Sequence, residues 1–246
     1  MLISVFSALW FIFFGCDVVL IVVMSLFLKE KTVDQKAKAM AILGIFNIVY
    51  WFFYKFMLSR DPSYEFILAT ELPFQLCNLN MIMVVVGLKW RKPALLTFCY
   101  CFGILGAILS LLSPDPQFVN VSLAQVEGYG YWITHHLLIC QSVLLVTTGF
   151  FRPRFKDLPK SMLILVVLYF TMYLINLLLR KITGLPINYL YTFGMEGNTM
   201  LELLYKFLPV YPLYLVPALI ALTPVLIGMI AIARLKKPCA DTIQSV

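Results

Sequence analysis

The sequence predicts an all-α polytopic membrane protein: seven transmembrane helices, N-terminus outside, C-terminus cytoplasmic. Three observations predict it. Of 246 residues, 62% are hydrophobic and 13% charged, where soluble domains carry about a quarter charged. The apolar residues fall in runs of about 17 to 25, the length a helix needs to cross a bilayer. Backbone groups cannot stay unpaired in lipid, so such runs are helical. Finally, fourteen of the nineteen Lys and Arg lie in the segments 29–38, 89–92, 152–160 and 234–237, while the alternate loops hold only Arg60, Arg180, Lys181 and Lys206. The positive-inside rule puts the first set in the cytoplasm. The net charge of +7 is then a topology signal and not a nucleic-acid footprint.

Span one covers 4–28 with Asp17 near its middle. No basic n-region precedes it and no small-residue cleavage site closes it, so it reads as a retained helix and not a signal peptide. A lysine-rich linker leads to span two, 39–58, which ends in the aromatic belt Tyr50-Trp51-Phe52-Phe53-Tyr54, with Lys55 able to snorkel. An acidic loop, 59–71, follows. Span three, 73–88, opens at Leu72-Pro73-Phe74-Gln75-Leu76-Cys77-Asn78-Leu79-Asn80, where Pro73 suits the first helical position. Span four, 94–112, stops at Ser113-Pro114-Asp115-Pro116, and span five covers 131–151. Span six, 161–179, leads into a long connection, 180–211. Within it, Thr199-Met200-Leu201-Glu202 has capping-box spacing. Leu201, Leu204, Tyr205 and Leu208 then share a face, which predicts a short amphipathic helix on the outer interface. The last span, 212–233, holds Pro212, Pro217 and Pro224, which predict a kink. No repeat divides the chain, so residues 1–246 form one domain.

On this topology the awkward polar residues share a depth. Cys77, Asn78 and Asn80 fall in the outer third of span three. Thr134, His135 and His136 lie just below the outer surface on span five, Ser113 and Asp115 close span four, and Asn176 lies in the outer third of span six. Polar groups are costly at such depths unless partnered, and a cavity open to the outer leaflet would gather them. Histidine is the usual general base near neutrality, and a cysteine near a helix N-terminus beside a histidine can serve as a nucleophile. Cys77 with His135 is therefore a candidate thiol–imidazole pair. The bland readings stand beside it: interfacial snorkelling for His135 and His136, core packing for Cys77, interhelical hydrogen bonds for Asn176 and Asn188, and pairing of Asp17 with a polar residue of another span. Six scattered cysteines show no metal spacing and no secreted disulfide pattern. Adjacent histidines diverge by about 100° on a helix and do not share an ion. No metal and no cofactor is expected.

Several short motifs, in order, resemble the YwaF family of bacterial integral membrane proteins. They are Leu72, Pro73, Leu76 and Cys77; Ser113, Pro114 and Asp115; His135 with Leu137; Arg152, Pro153 and Arg154; Asn176 to Leu179; Asn188 and Tyr189; and Pro209 with Tyr211, Pro212 and Tyr214. The likeness covers about residues 70–235. Relatives of that family include an animal transmembrane acyltransferase that uses a cysteine and a histidine to move acyl chains between phospholipids. The resemblance implies a bacterial plasma membrane location, Cys77 as nucleophile and His135 as base. The chain departs from the family where a histidine often precedes and an aspartate follows the Leu-Cys pair; here they are Gln75 and Asn78.

Two functions follow from different classes. One is a lipid acyltransferase or hydrolase of the outer leaflet, in which Asn78, Asn176 or helix N–H groups steady the oxyanion, Asp115 orients His135, and Gln75 and His136 line the pocket. The other is a non-catalytic seven-helix protein that binds or transports a small solute or lipid. Membrane lipids are the expected partners in both, and nucleic acid in neither.

Overall fold

Helix boundaries in the computed structural model, which describes residues 2–114, 118, 121–122, 124–195 and 199–235, follow capping chemistry more closely than hydropathy. α1 spans Ala8–Leu28 and is capped by the Ser7 hydroxyl, which accepts from the Trp10 N–H. α2 runs Val33–Leu58, six residues earlier than expected. Thr32 and Gln35 form a reciprocal capping box there, so most of the basic linker is helix. α3 runs Leu76–Trp90. Pro73 does not start it: Leu72 to Phe74 close a tight turn, and Gln75 takes the extended N-cap position. Proline's fixed φ serves that turn as well as a helix start.

α4 spans Pro93–Leu112 with proline in its first turn. α5 spans Val126–Thr147, shifted five residues toward the N-terminus from the expected start. Gly128 and Gly130 read as loop in the sequence, yet both are helical. A Cβ at Gly130 would come within 2.5 Å of the Tyr54 ring, so the glycine is there for close approach of α2 and not for a turn. α6 spans Leu158–Thr183 and ends on Gly184 in the left-handed conformation, φ 71°. The predicted amphipathic helix is α7, Thr199–Phe207; Leu201, Leu204, Tyr205 and Leu208 are half-buried while Glu202, Leu203, Lys206 and Phe207 are exposed. α8, Val216–Leu235, contains Pro224. Strands β1 (Leu2–Ile3) and β2 (Val121–Ser122) pair antiparallel and tie the start of the chain to the segment before α5.

α5 is the axle. It packs against α1, α2, α3 and α4, while α6 and α8 lean on α4. The core accordingly lies around α4 and α5, where Phe98, Cys99, Trp132 and Leu144 are fully buried. α1, α6 and α8 keep most of their apolar side chains on the surface, among them Val18, Val22, Val167, Leu174, Ile220 and Ile232. Apolar faces of that extent belong against lipid. Among the described residues, five segments are long and apolar enough to cross a membrane: Ala8–Leu28, Val33–Leu58, Pro93–Leu112, Phe155–Thr183 and Leu213–Leu235. α3, with 15 residues, is shorter. α5 carries Glu127, two histidines and Gln141 in its 22 residues, so its polarity, not its length, sets it apart.

Candidate functional site

The start of α3 is built by chain from elsewhere. The Tyr189 hydroxyl accepts from the Leu72 N–H at 3.0 Å and donates to the Ala69 carbonyl at 2.8 Å. Burial pushes its ionisation up to about 12, so it stays neutral and holds both bonds. The Phe74 ring meets Tyr189 edge-on, and the Gln75 side-chain oxygen accepts from the Leu190 N–H at 3.2 Å. Asn176 in turn fixes that loop: its amide donates to the Tyr189 carbonyl and the Thr192 hydroxyl, both at 2.8 Å, and its oxygen accepts from the Tyr189 N–H. At the same end Lys55 pairs with Glu71, which also accepts from the Tyr64 hydroxyl at 2.6 Å. Gln75 and Asn176, both expected at a pocket, instead spend their described hydrogen bonds holding the connection 187–192 over α3. Long polar side chains on different segments are natural braces for a loop that has no ladder of its own.

Cys77 is the second residue of α3, closer to the N-terminus than a full turn inside. An α-helix leaves its first N–H groups without intrahelical acceptors, and Cys77 lies in that turn. Its Sγ is 3.6 Å from the Ser110 Oγ of α4. Ser110 is also the anchor for α5: the Tyr131 hydroxyl donates to its carbonyl at 2.6 Å. His135 stands one turn along from Tyr131, ring centroids 4.3 Å apart, with Nδ1 2.7 Å from the Tyr131 carbonyl. A carbonyl only accepts, so Nδ1 carries the proton and Nε2 is the basic nitrogen of the neutral ring. Cys77 and His135 thus reach one neighbourhood through Ser110 and Tyr131. Asn78 is half-buried beside Cys77. Asp115, the expected orienter of His135, lies outside the described residues; the described partner of His135 Nδ1 is the Tyr131 carbonyl of its own helix.

His136 belongs to a second cluster. Its Nδ1 is 2.5 Å from Asp17 Oδ2, and the Cys140 thiol donates to Asp17 Oδ1 at 3.3 Å. Phe13 stacks on the imidazole and Phe14 meets it edge-on, and Asp17, His136 and Cys140 are all buried. His136 is therefore a packing and pairing residue between α1 and α5, not a wall of the Cys77 neighbourhood. Asp17 does find a polar partner on another span, as the sequence suggested. What the sequence reading missed was the pair His136 and Cys140, four apart and so on one face of α5. The Cys140 thiol spends its proton on that carboxylate, which joins α5 to α1. Among the described residues no three His, Cys, Asp or Glu side chains are grouped to hold a metal.

Residues 2–230 match the TMEM164 family. The chain belongs to the TMEM164 family. Membership agrees with the apolar helices: this is a membrane protein of that family. No curated protein matches the chain, and no solved structure matches it.

Proposed function

We propose that this TMEM164-family chain is a cysteine- and histidine-dependent lipid acyltransferase or hydrolase, embedded as one domain of seven spans with the Cys77 end at the outer leaflet. The observation that carries the reading is the shared anchor: Ser110 takes Cys77 through its hydroxyl and Tyr131, with His135 behind it, through its carbonyl. The orientation rests on the basic ends. Arg91 with Asp34, and Arg152 with Arg234, gather at the end of the bundle opposite Cys77, and the positive-inside rule favours a cytoplasmic position for that end. The YwaF-like motifs imply the same two residues and a bacterial plasma membrane.

The chemistry runs in two steps. Cys77 Sγ attacks the carbonyl of a phospholipid ester and His135 Nε2 takes the thiol proton. N–H groups of the first turn of α3, with Asn78 beside them, steady the oxyanion. The ester C–O bond breaks, and the proton passes to the departing lysolipid alkoxide. A hydroxyl of a second lipid, or water, then attacks the thioester; its proton goes to His135 and on to the sulfur as the C–S bond breaks. Membrane lipids are both donor and acceptor. No step needs a cofactor.

The test uses full-length protein in vesicles with a phospholipid carrying a labelled acyl chain. Wild type forms a hydroxylamine-sensitive acyl adduct on Cys77, Cys77→Ala forms none, and His135→Asn slows adduct formation by about 10²–10⁴-fold. Equal labelling of wild type and Cys77→Ala would sink the proposal. Lipid binding unchanged in the double variant, with no adduct in any form, would favour the non-catalytic alternative.

A further inference from the structure

One turn deeper than Cys77 on the same face of α3, Asn80 is fully buried, and neither its Nδ2 nor its Oδ1 has a partner among the described residues. The Ser142 hydroxyl of α5 is equally buried and equally unpartnered. Both point at one place. A Cβ on Gly103 of α4 would collide with Ser142 Oγ and stand 3.3 Å from Asn80 Nδ2. The glycine keeps α4 clear of both groups where three helices meet.

Two polar groups this close, not hydrogen-bonded to each other and shut away from solvent, are worth far less to the fold than apolar side chains of the same shape. Each can both donate and accept, apart from the separate nitrogen and oxygen of the amide. Neither carries charge, so an ion has no counter-charge in the pair itself. A guest that satisfies both must be small and must both donate and accept: one heavy atom with two lone pairs and two protons. Buried waters settle where several otherwise unsatisfied polar groups converge, and they bridge groups just beyond direct reach at little cost.

We propose that Asn80 and Ser142 hold an ordered water above Gly103, at the crossing of α3, α4 and α5. It accepts from the Asn80 amide and exchanges a hydrogen bond with the Ser142 hydroxyl. The site stands whether or not Cys77 is a nucleophile, because it depends on helix packing and not on the thiol. It makes the Cys77 helix register specific: rotating α3 moves the amide off the water.

The two accounts of these residues predict opposite signs. Thermal unfolding is followed on purified full-length protein in lipid nanodiscs for Asn80→Leu, Ser142→Ala and the double variant. With a bridging water, each single change strips it of a partner and lowers Tm by about 2–4 °C, and the double variant recovers most of the loss. If no water is held, each single change removes a bare buried dipole, raises Tm, and the two rises add; that result overturns the proposal. Should Asn80→Leu not fold, a wild-type map sharp enough to show ordered waters decides it: density between the two side chains supports the site, and clear absence there refutes it. Acyl-adduct formation on Cys77 is a separate readout, so failure of the catalytic reading and failure of the water site are distinguishable.

Discussion

The two faces of α5 carry nearly the same residue types and do opposite things with them. Toward α3 and α4 the helix presents Tyr131, His135 and Ser142, at spacings of four and seven. Toward α1 it presents Trp132, His136 and Cys140, at spacings of four and four. On the α1 face a carboxylate is present, and Asp17 takes both the imidazole and the thiol. On the other face the neighbours are neutral: a backbone carbonyl, a serine and a tyrosine. A buried carboxylate consumes the donors around it and locks them. Where only neutral acceptors stand nearby, no charge fixes the imidazole or the thiol. The chemistry proposed above uses the face without the charge, and the face with it joins α1 to α5.

The largest effect expected from this contrast is on stability. Asp17→Leu leaves two buried donors without an acceptor and should cost about 2–5 kcal/mol, seen as a Tm lower by roughly 10 °C at 2–4 °C per kcal/mol. Asp17→Leu combined with His136→Leu should recover most of that, since an apolar pair of similar volume replaces the buried polar one. Folded Asp17→Leu should still form the Cys77 adduct at the wild-type rate. A folded variant with full stability and no adduct would reverse the assignment of the two faces.

How much of this was legible beforehand divides along the same line. Apolar runs announced every long helix, because lipid demands continuous hydrophobic helix. Boundaries were less visible. Thr32 and Gln35 cap α2 inside a lysine-rich stretch whose charge hides the apolar period, and Gly130 looked like a loop because its partner, the Tyr54 ring, is 76 residues away in sequence. The polar residues of the site could be listed but not aimed. His135 and His136 are neighbours in sequence, and only their partners in the fold separate their roles: the Tyr131 carbonyl for one and Asp17 of α1 for the other. Gln75 and Asn176 looked like pocket residues since depth was all the sequence offered; depth says nothing of the loop 187–192 that claims them.

A smaller effect separates the thiols. Cys140 is fully buried and Cys77 half-buried. Cys140→Ala removes one hydrogen bond to Asp17 and a small volume, about 1–2 kcal/mol, and should leave the acyl adduct untouched. Alkylation of the native protein, read peptide by peptide by mass spectrometry, should modify Cys77 at least roughly ten-fold faster than Cys140, since reactivity follows exposure and thiolate character. Equal rates would mean that the α1 face opens as readily as the other.

The smallest change is the most pointed. Tyr131→Phe removes only the hydroxyl that donates to the Ser110 carbonyl; the ring can keep its stack on Phe118, 4.2 Å between centroids, and its contact with His135. One hydrogen bond to a neutral acceptor is worth about 0.5–1.5 kcal/mol, so Tm should fall by only a few degrees. Its consequence for chemistry should be larger than its consequence for folding. The bond couples α5, which carries His135, to the residue that touches Cys77, and loosening a reacting pair by a fraction of an ångström costs rate without costing packing. Adduct formation slowed several-fold at nearly unchanged stability would tie Ser110 and Tyr131 to the positioning of His135. Equal small losses in both would leave the tyrosine a packing residue, and the neighbourhood of Cys77 would then need another link to its histidine.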